Sequence, residues 1–342
     1  MASILVTGGA GFIGSNLCKS LLDEGHIVHC VDNLVTGNRN NVAALSQHDN
    51  FIFYEFDIAN PALAQLFPTR LDYIYHLACP TGVPNLTRLA TEMLHACSYG
   101  MFNVLELAKQ HEAKMVFTST AEIYGQPERT PQDEDYTGNV HPMGIRSAYE
   151  EGKRFSESCL AAYVRYHGLD ARVVRVFNTY GPGMSLSDRR VIPQFISSVL
   201  RKEPLRVYGD GSQTRTHLYV DDLVRGIRLV MDKGLPGEAY NIGSEHPMTV
   251  RELAELVIEL TSHDEGIEYV PHFIEDHRHR KPSIEKAKQL GWQQEVEITI
   301  GLQKMIGLHI ETVSSVVAQA SDERTREEVL EDAPAIKLAP VV

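Results

Sequence analysis

The stretch Ile4-Leu5-Val6-Thr7-Gly8-Gly9-Ala10-Gly11-Phe12-Ile13-Gly14 joins an apolar, β-branched run to the amphipathic segment FIGSNLCKSLLDEG, residues 12–25. A strand that turns through glycines straight into a helix gathers backbone N–H groups where a phosphate can meet them. Gly8 allows the tight turn, Gly11 lets the backbone approach a pyrophosphate, and Gly14 permits helix and strand to close on one another. A second apolar run, HIVHCVDN, follows and ends in Asp32, eighteen residues beyond Gly14. A carboxylate at that place accepts hydrogen bonds from both hydroxyls of an adenosine ribose and repels a 2′-phosphate. The expected cofactor is therefore NAD rather than NADP. A third run, NFIFYEFDI, ends at Asp57-Ile58, which reads either as a contact to adenine or, for Asp57, as a turn cap.

Working outward, further strand candidates lie at Tyr73 to Ala78, Lys114 to Ser119 and Ala171 to Phe177, separated by stretches long enough for crossover helices. The alternation predicts an α/β fold with a right-handed, doubly wound parallel sheet of Rossmann type. After Asn178 the texture changes to Gly-, Pro- and Arg-rich loops around two helical patterns, VDDLVRGIRLVMDKG and VRELAELVIEL. We expect residues 1–180 to bind the dinucleotide, and 181–312 to form a smaller substrate portion partly interleaved with the first. Residues 313–342 are expected to be an acidic tail that is a frayed helix and then disordered.

Composition excludes several classes. The 342 residues are 43% hydrophobic and 23% charged, with 32 Lys plus Arg against 45 Asp plus Glu, a net charge of −13. A polyanionic duplex would find no basic stripe here. The five cysteines stand singly, with no C-x-x-C, which suits reduced, buried thiols and argues against zinc or a disulfide framework. No cleavable signal or membrane-length apolar run opens the chain, so a cytoplasmic protein is expected.

Tyr149 and Lys153 sit four apart in the helical pattern SAYEEGKRFSESCLAAYVRYHG and so project from one face. That spacing arises easily by chance, and its context decides more. The upstream run KMVFTSTAEIYG reads as a strand that carries Thr118, Ser119, Thr120 and Glu122 to the carboxyl edge of the sheet, where open α/β folds bind ligands. A tyrosine hydroxyl ordinarily ionises near pH ~10, so service as a base at neutrality needs about 4 kcal/mol of differential stabilisation. A neighbouring lysine ammonium and a positive nicotinamide ring can supply it together, letting Tyr149 take a proton from a substrate hydroxyl.

The motifs GGAGFIGSNL, VDNLVTG, YHLACP, TSTAEIYG, GNVHPMGIRSAYEEGKR, VRVFNTYGPGM and VYGDGSQTRTHLYVDDLV together resemble the extended short-chain dehydrogenase/reductase, or NAD-dependent epimerase/dehydratase, family. The likeness runs from about Ile4 to Ile306 and is strongest toward the branch that decarboxylates UDP-glucuronate to UDP-xylose. It implies NAD held by Gly8, Gly11, Phe12, Ile13, Gly14, Asp32, Asn33, Thr36, Gly37, Asp57 and Ile58, with Leu77, Ala78, Tyr149 and Lys153 at the nicotinamide. It further implies a catalytic group of Thr120, Glu122, Tyr149, Lys153 and Arg215. A UDP-sugar would meet Arg88, Asn178, Arg190, Val191, Gln194, Tyr208 and Arg215, no metal is implied, and a homodimer would form through helices near Asn85 to His111 and Ala148 to His167.

Read chemically, oxidation at C4 of a hexuronic acid makes a β-keto acid that loses carbon dioxide readily, after which C5 must be protonated. Glu122, two residues beyond Thr120, is placed on the same strand to serve ring or proton chemistry near C5. Arg215 would orient the carboxylate or clamp the diphosphate. The 4,6-dehydratases of the family place an acid where this chain has Ala121, and the decarboxylases carry Tyr and Lys where Leu86 and Glu92 stand, with Arg88 as the available substitute. A C4 epimerase of a UDP-hexuronate or UDP-hexose, or another C5-directed reaction on a nucleotide sugar, is the alternative enzyme, and an NAD-binding sensor or scaffold the alternative class. His76 reads as a core histidine. His272, His277 and His279, interleaved with Arg278 and Arg280, read as a surface or diphosphate-facing loop rather than a metal site, and Arg189-Arg190 as a solvated pair or a nucleotide contact.

Overall fold

The computed structural model describes residues 1–186, 188–271 and 280–319, with side chains up to residue 309. The clustered histidines at 272, 277 and 279 and most of the acidic tail lie outside the described residues. Strands β1 (Ser3–Thr7), β2 (Ile27–Asp32), β3 (Phe51–Glu55), β4 (Tyr73–His76), β5 (Lys114–Thr120) and β6 (Ala171–Val176) form one sheet with a last strand, Ala239–Ile242. The order is β3-β2-β1-β4-β5-β6 followed by that last strand, with every pairing parallel. Order reverses between β1 and β4, so a crevice opens beyond their carboxyl ends, the place where such sheets bind ligands.

The period-2 alternation of the strands explains the two layers. Ile4 and Val6 of β1 and Val116 of β5 join one core with Leu17, Cys18 and Leu21 of helix α1 (Phe12–Asp23) and Leu223 and Ile227 of the helix Val220–Lys233. Leu5, Met115 and Phe117 face the other way, against Val104 and Leu105 of the helix Met101–His111 and Leu160 of the helix Ser147–His167. A third core gathers Phe195, Leu253, Leu302 and Met305 from the later helices with Tyr180 of the short strand Thr179–Tyr180.

Two expectations need correction. Glu122 is not on β5: the strand ends at Thr120, whose hydroxyl accepts from the Glu122 N–H at 3.2 Å and caps a 3-10 turn, Ala121–Tyr124. A threonine that can cap ends a strand as readily as it extends one. The long helix expected over Asn85 to His111 is broken at Leu89 and resumes as Ala90–His95, a π turn at Ala96–Gly100, and Met101–His111. The helix carrying Tyr149 and Lys153 is continuous.

The glycine turn has no slack. Gly8 has φ +73°, and a Cβ on it would stand 2.7 Å from the Ala78 backbone nitrogen; one on Gly14 would stand 2.1 Å from the Gly8 carbonyl oxygen. Gly14→Ala should therefore cost about 3 kcal/mol by overpacking against backbone. Gly25→Ala, at φ +77° with nothing within 4 Å, should cost about 1 kcal/mol of backbone strain alone. Urea unfolding of the two variants measures the difference.

Candidate active site

At the sheet's switch point α1 begins at Phe12 with no side-chain cap on its first turn and no acidic residue there, so its leading N–H groups are left for a ligand. Gly11, the N-cap, has φ −75°, and an added Cβ would meet only the Gly8 oxygen at 3.2 Å, leaving the loop's outer side open for close approach. Thr7 braces the turn from below: its hydroxyl bonds His76 Nδ1 at 2.7 Å and accepts from the Ala78 N–H at 3.3 Å. His76 is buried among these groups. Burial, with the charge of Lys153, pushes its pKa down to about 3, so it is a neutral core histidine as expected.

Asp32 closes the other side of the cradle. Its Oδ2 accepts from the Ala10 N–H at 3.1 Å and its Oδ1 from the Leu34 N–H at 2.8 Å. Burial raises its pKa while these two N–H groups pull it back. A carboxylate has about four acceptor sites, so two remain for a ribose diol. Gly37 leaves room here, since a Cβ on it would sit 2.6 Å from Asp32 Oδ1. Exposed Thr36 precedes it. Asp57 makes the turn contact the sequence allowed, Oδ1 accepting from the Ala59 N–H at 2.8 Å, and its Oδ2 accepts from Asn33 Nδ2 at 3.0 Å. Ile58 is buried beside Gly100. Leu77 and Ala78, half-buried, form the edge facing Gly8. An uncapped helix end, an open glycine loop and a carboxylate with acceptor capacity left fit a dinucleotide.

Across the crevice, Lys153 is 3% exposed and its Nζ donates to the Thr118 carbonyl at 2.9 Å, over the Phe117 ring. One turn earlier, Tyr149 hydrogen-bonds with Thr120 and feels the charge of Glu122. Burial raises the Tyr149 hydroxyl well above its ordinary value, the neighbouring Cys79 sulfur adds to this, and the Thr120 bond offsets only part. In the protein alone it rests as a phenol. Thr120, Glu122, Tyr149 and Lys153 are thus brought together.

Glu122 is the hub of an ionic cluster. Arg146 Nη2 donates to its Oε2 at 2.5 Å, Arg280 Nη2 to the same oxygen at 3.0 Å, and Arg280 Nη1 to Oε1. Arg146 also donates through Nε to buried Glu150 at 3.0 Å. Burial acts to raise the Glu122 pKa, but the charges and hydrogen bonds of Arg280 and Arg146 outweigh it and hold the carboxyl well below the usual carboxylate range. The sequence reading did not place either arginine here. Arg280, in a run that reads as a surface or diphosphate-facing loop, is 9% exposed, and the available sign of Arg146 is its i,i+4 spacing to Glu150.

The remaining expected residues lie on later or separate elements. Arg215 is on the strand Thr214–Thr216, in register with Met248, and its Nη1 donates to the Thr214 carbonyl at 2.8 Å. Asn178 follows β6 and its carbonyl accepts from the Leu218 N–H. Arg190 caps the helix Val191–Arg201, which carries Gln194, and is ion-paired with Asp188 at 2.6 Å. Arg189 is exposed, Tyr208 is 42% exposed at the end of the strand Leu205–Tyr208, and Arg88 is exposed and bonded to Asn85. Leu86 is buried and Glu92 exposed.

Known proteins similar to this chain are numerous. UDP-glucuronic acid decarboxylase 1 of Arabidopsis thaliana is 41% identical over 304 residues, 89% of this chain and 68% of that protein. UDP-glucuronic acid decarboxylase 1 of Danio rerio is also 41% identical, over 89% of this chain and 71% of its own. Among solved structures, UDP-glucose 4-epimerase with UDP-glucose from Thermotoga maritima superposes with a TM-score of 0.84 at 32% identity, covering 91% of this chain and 99% of that one. The model of the NAD dependent epimerase/dehydratase family matches residues 4–243. With its glycine cradle, Asp32 and the Tyr149/Lys153 pair in place around that span, the chain belongs to the NAD-dependent epimerase/dehydratase family and takes NAD as its cofactor.

Proposed function

We propose that the protein decarboxylates UDP-glucuronic acid to UDP-xylose, regenerating its NAD within each turnover. The observation that carries this reading is the cluster at Glu122, where two arginines converge beside Tyr149 and Thr120. The cations Arg146, Arg280 and Lys153 outnumber the anions Glu122 and Glu150, so a uronate carboxylate enters without net repulsion. The relatives named UDP-glucuronic acid decarboxylase support the same substrate.

NAD would be held by Gly8, Gly11, Phe12, Ile13 and Gly14 at its phosphates, Asp32, Asn33, Thr36 and Gly37 at the ribose, Asp57 and Ile58 at adenine, and Leu77 and Ala78 at the nicotinamide. When bound it supplies two-electron oxidation of a sugar carbon and the reverse. Tyr149 takes the proton of the C4 hydroxyl, which Thr120 orients, and Lys153 stabilises the phenolate from the floor of the site. The resulting ketone lies β to the carboxylate, so the C5–carboxyl bond breaks with its electrons passing toward C4. Glu122, kept ionised by its arginines, does not donate the next proton itself; it orients the water that protonates C5. Arg88, Asn178, Arg190, Val191, Gln194, Tyr208 and Arg215 are read as contacts to the uridine, diphosphate and sugar.

The division into a cofactor portion, 1–180, and a substrate portion, 181–312, belongs to this reading and is supported by the separate apolar core of the later helices. A homodimer is supported by Leu94, Tyr99, Phe102, Phe155 and Tyr166, large and exposed on the helices Ala90–His111 and Ser147–His167. Five free thiols support a cytoplasmic location.

Proton NMR of the protein with NAD and UDP-glucuronic acid in deuterated water should show UDP-xylose with deuterium at C5. UDP-galacturonate with its C5 proton retained would instead make the protein a C4 epimerase, the activity named for the Thermotoga structure. Tyr149→Phe should lower kcat about 10²- to 10⁴-fold while NAD binding, read by fluorescence titration, survives; unchanged turnover removes Tyr149 from the chemistry. Phe155→Glu should convert a dimer to a monomer by light scattering, and a wild-type monomer refutes the interface.

A further inference from the structure

Four of the five cysteines, scattered in sequence, meet in two pairs. Cys18 and Cys30 are wholly buried beside Gly9. Cys79 and Cys97 are different: their sulfurs are 3.7 Å apart, Cys97 is 3% exposed, and Cys79 is half-buried on the loop that leaves β4. We propose that Cys79 and Cys97 are an oxidation site, a dithiol that hydroperoxides convert to a disulfide and that slows the enzyme when closed.

Three features of the geometry support this. Cys97 lies in the π turn Ala96–Gly100, an uncommon distortion that tends to mark functional positions. Its side chain is backed by the helix Ser147–His167: a Cβ on Gly152 would stand 3.1 Å from Cys97 Cβ and 3.2 Å from its sulfur. Ser156 Oγ donates to the Cys97 carbonyl at 2.8 Å and fixes the backbone. Cys97 can therefore not withdraw from Cys79, and closure must draw Cys79 inward. The pair is also reactive. The hydrogen bond from Cys79, opposed by burial and aided by the Lys153 ammonium, lowers the Cys97 thiol to about 7, and that proton belongs to the pair.

The chemistry balances with a hydroperoxide as the only added reactant. Cys97, which of the two more readily gives up its proton, attacks the outer peroxide oxygen as a thiolate; an S–O bond forms, the O–O bond breaks, and the departing oxygen takes up a proton. Cys79 then attacks the sulfenic sulfur of Cys97, its proton passing to the departing hydroxyl; the S–S bond forms and the hydroxyl leaves as water. Two sulfurs give up two electrons to the peroxide, and both thiol protons end in the released water or alcohol.

Closure has two effects of opposite sign on the site. It removes the thiolate charge of Cys97, which contributes to raising the Tyr149 pKa, and so favours proton removal. It also shortens 3.7 Å to about 2.05 Å, pulling on the chain one residue from Ala78, whose backbone packs on Gly8. Displacement of about 1 Å near reacting groups can cost 10²-fold in rate, so the mechanical effect wins.

Treating the full chain with hydrogen peroxide and mapping peptides by mass spectrometry should give a Cys79–Cys97 cross-link, reversed by dithiothreitol. Turnover should fall at least tenfold and recover with the thiols. Cys79→Ser and Cys97→Ser should each abolish both the cross-link and the reversible loss. The activity arm rests on the proposed decarboxylation, whereas the peptide map needs no substrate, so the two can fail separately. Absence of the cross-link, closure of Cys18–Cys30 at an equal rate, a cross-link that leaves turnover unchanged, or reversible inactivation surviving in Cys97→Ser would each overturn the proposal.

Discussion

One buried ammonium holds the two halves of the site in register. Lys153 donates to the carbonyl of Thr118 near the end of β5, and that bond joins the helix Ser147–His167 to the sheet where the strand is about to turn. A lysine at 3% exposure would be costly if its charge met no acceptor. The carbonyl, with the face of Phe117 beneath, supplies that partner. Tyr149, one turn back along the same helix, is thereby fixed beside Thr120. The same placement lets Lys153 act on its surroundings: its charge contributes to keeping His76 neutral and to lowering the Cys97 thiol.

Charge in the crevice follows a similar logic at larger scale. Glu122 loses more by burial than a carboxylate can bear alone, and Arg146 and Arg280 more than compensate. Removing either partner from such a cluster leaves an uncompensated charge, which is why buried ion clusters are held as units. Arg146 comes from the turn of chain just before the Tyr149 helix, and Arg280 from far along the sequence. The cluster therefore ties the later part of the chain to the edge of the sheet. It also sets the role open to Glu122: a carboxylate held ionised can orient a proton donor but is a poor donor itself.

Local signals carried most of the fold. The glycine turn, Asp32, the six strand runs and the helices at Val220–Lys233 and Val250–Thr261 were legible because each obeys a short-range rule: period 2 for strands, period 3.6 for helices, glycine where φ is positive or backbones cross. What was missed depended on competition or distance. Thr120 could extend a strand or cap a turn, and only the packed chain decides, which is how Glu122 came to lie on a 3-10 turn. The break at Leu89 and the π turn at Ala96–Gly100 interrupt a segment that the family resemblance implied as one long helix. Arg280 joins Glu122 across 158 residues, and Cys79 meets Cys97 across eighteen; no spacing rule links them.

The resting state of Tyr149 connects these parts. Burial, the neighbouring Cys79 and Cys97 sulfurs, and the charge of Glu122 all raise its pKa, and the hydrogen bond with Thr120 is too small a correction. The protein alone therefore stores no phenolate. Proton removal from a substrate hydroxyl needs more positive charge in the crevice than this chain provides, and an oxidised nicotinamide carries one. In the proposed reaction, a phenol that burial keeps protonated cannot accept a sugar proton until positive charge in the crevice has lowered its pKa, so the same burial confines that chemistry to the fully assembled site.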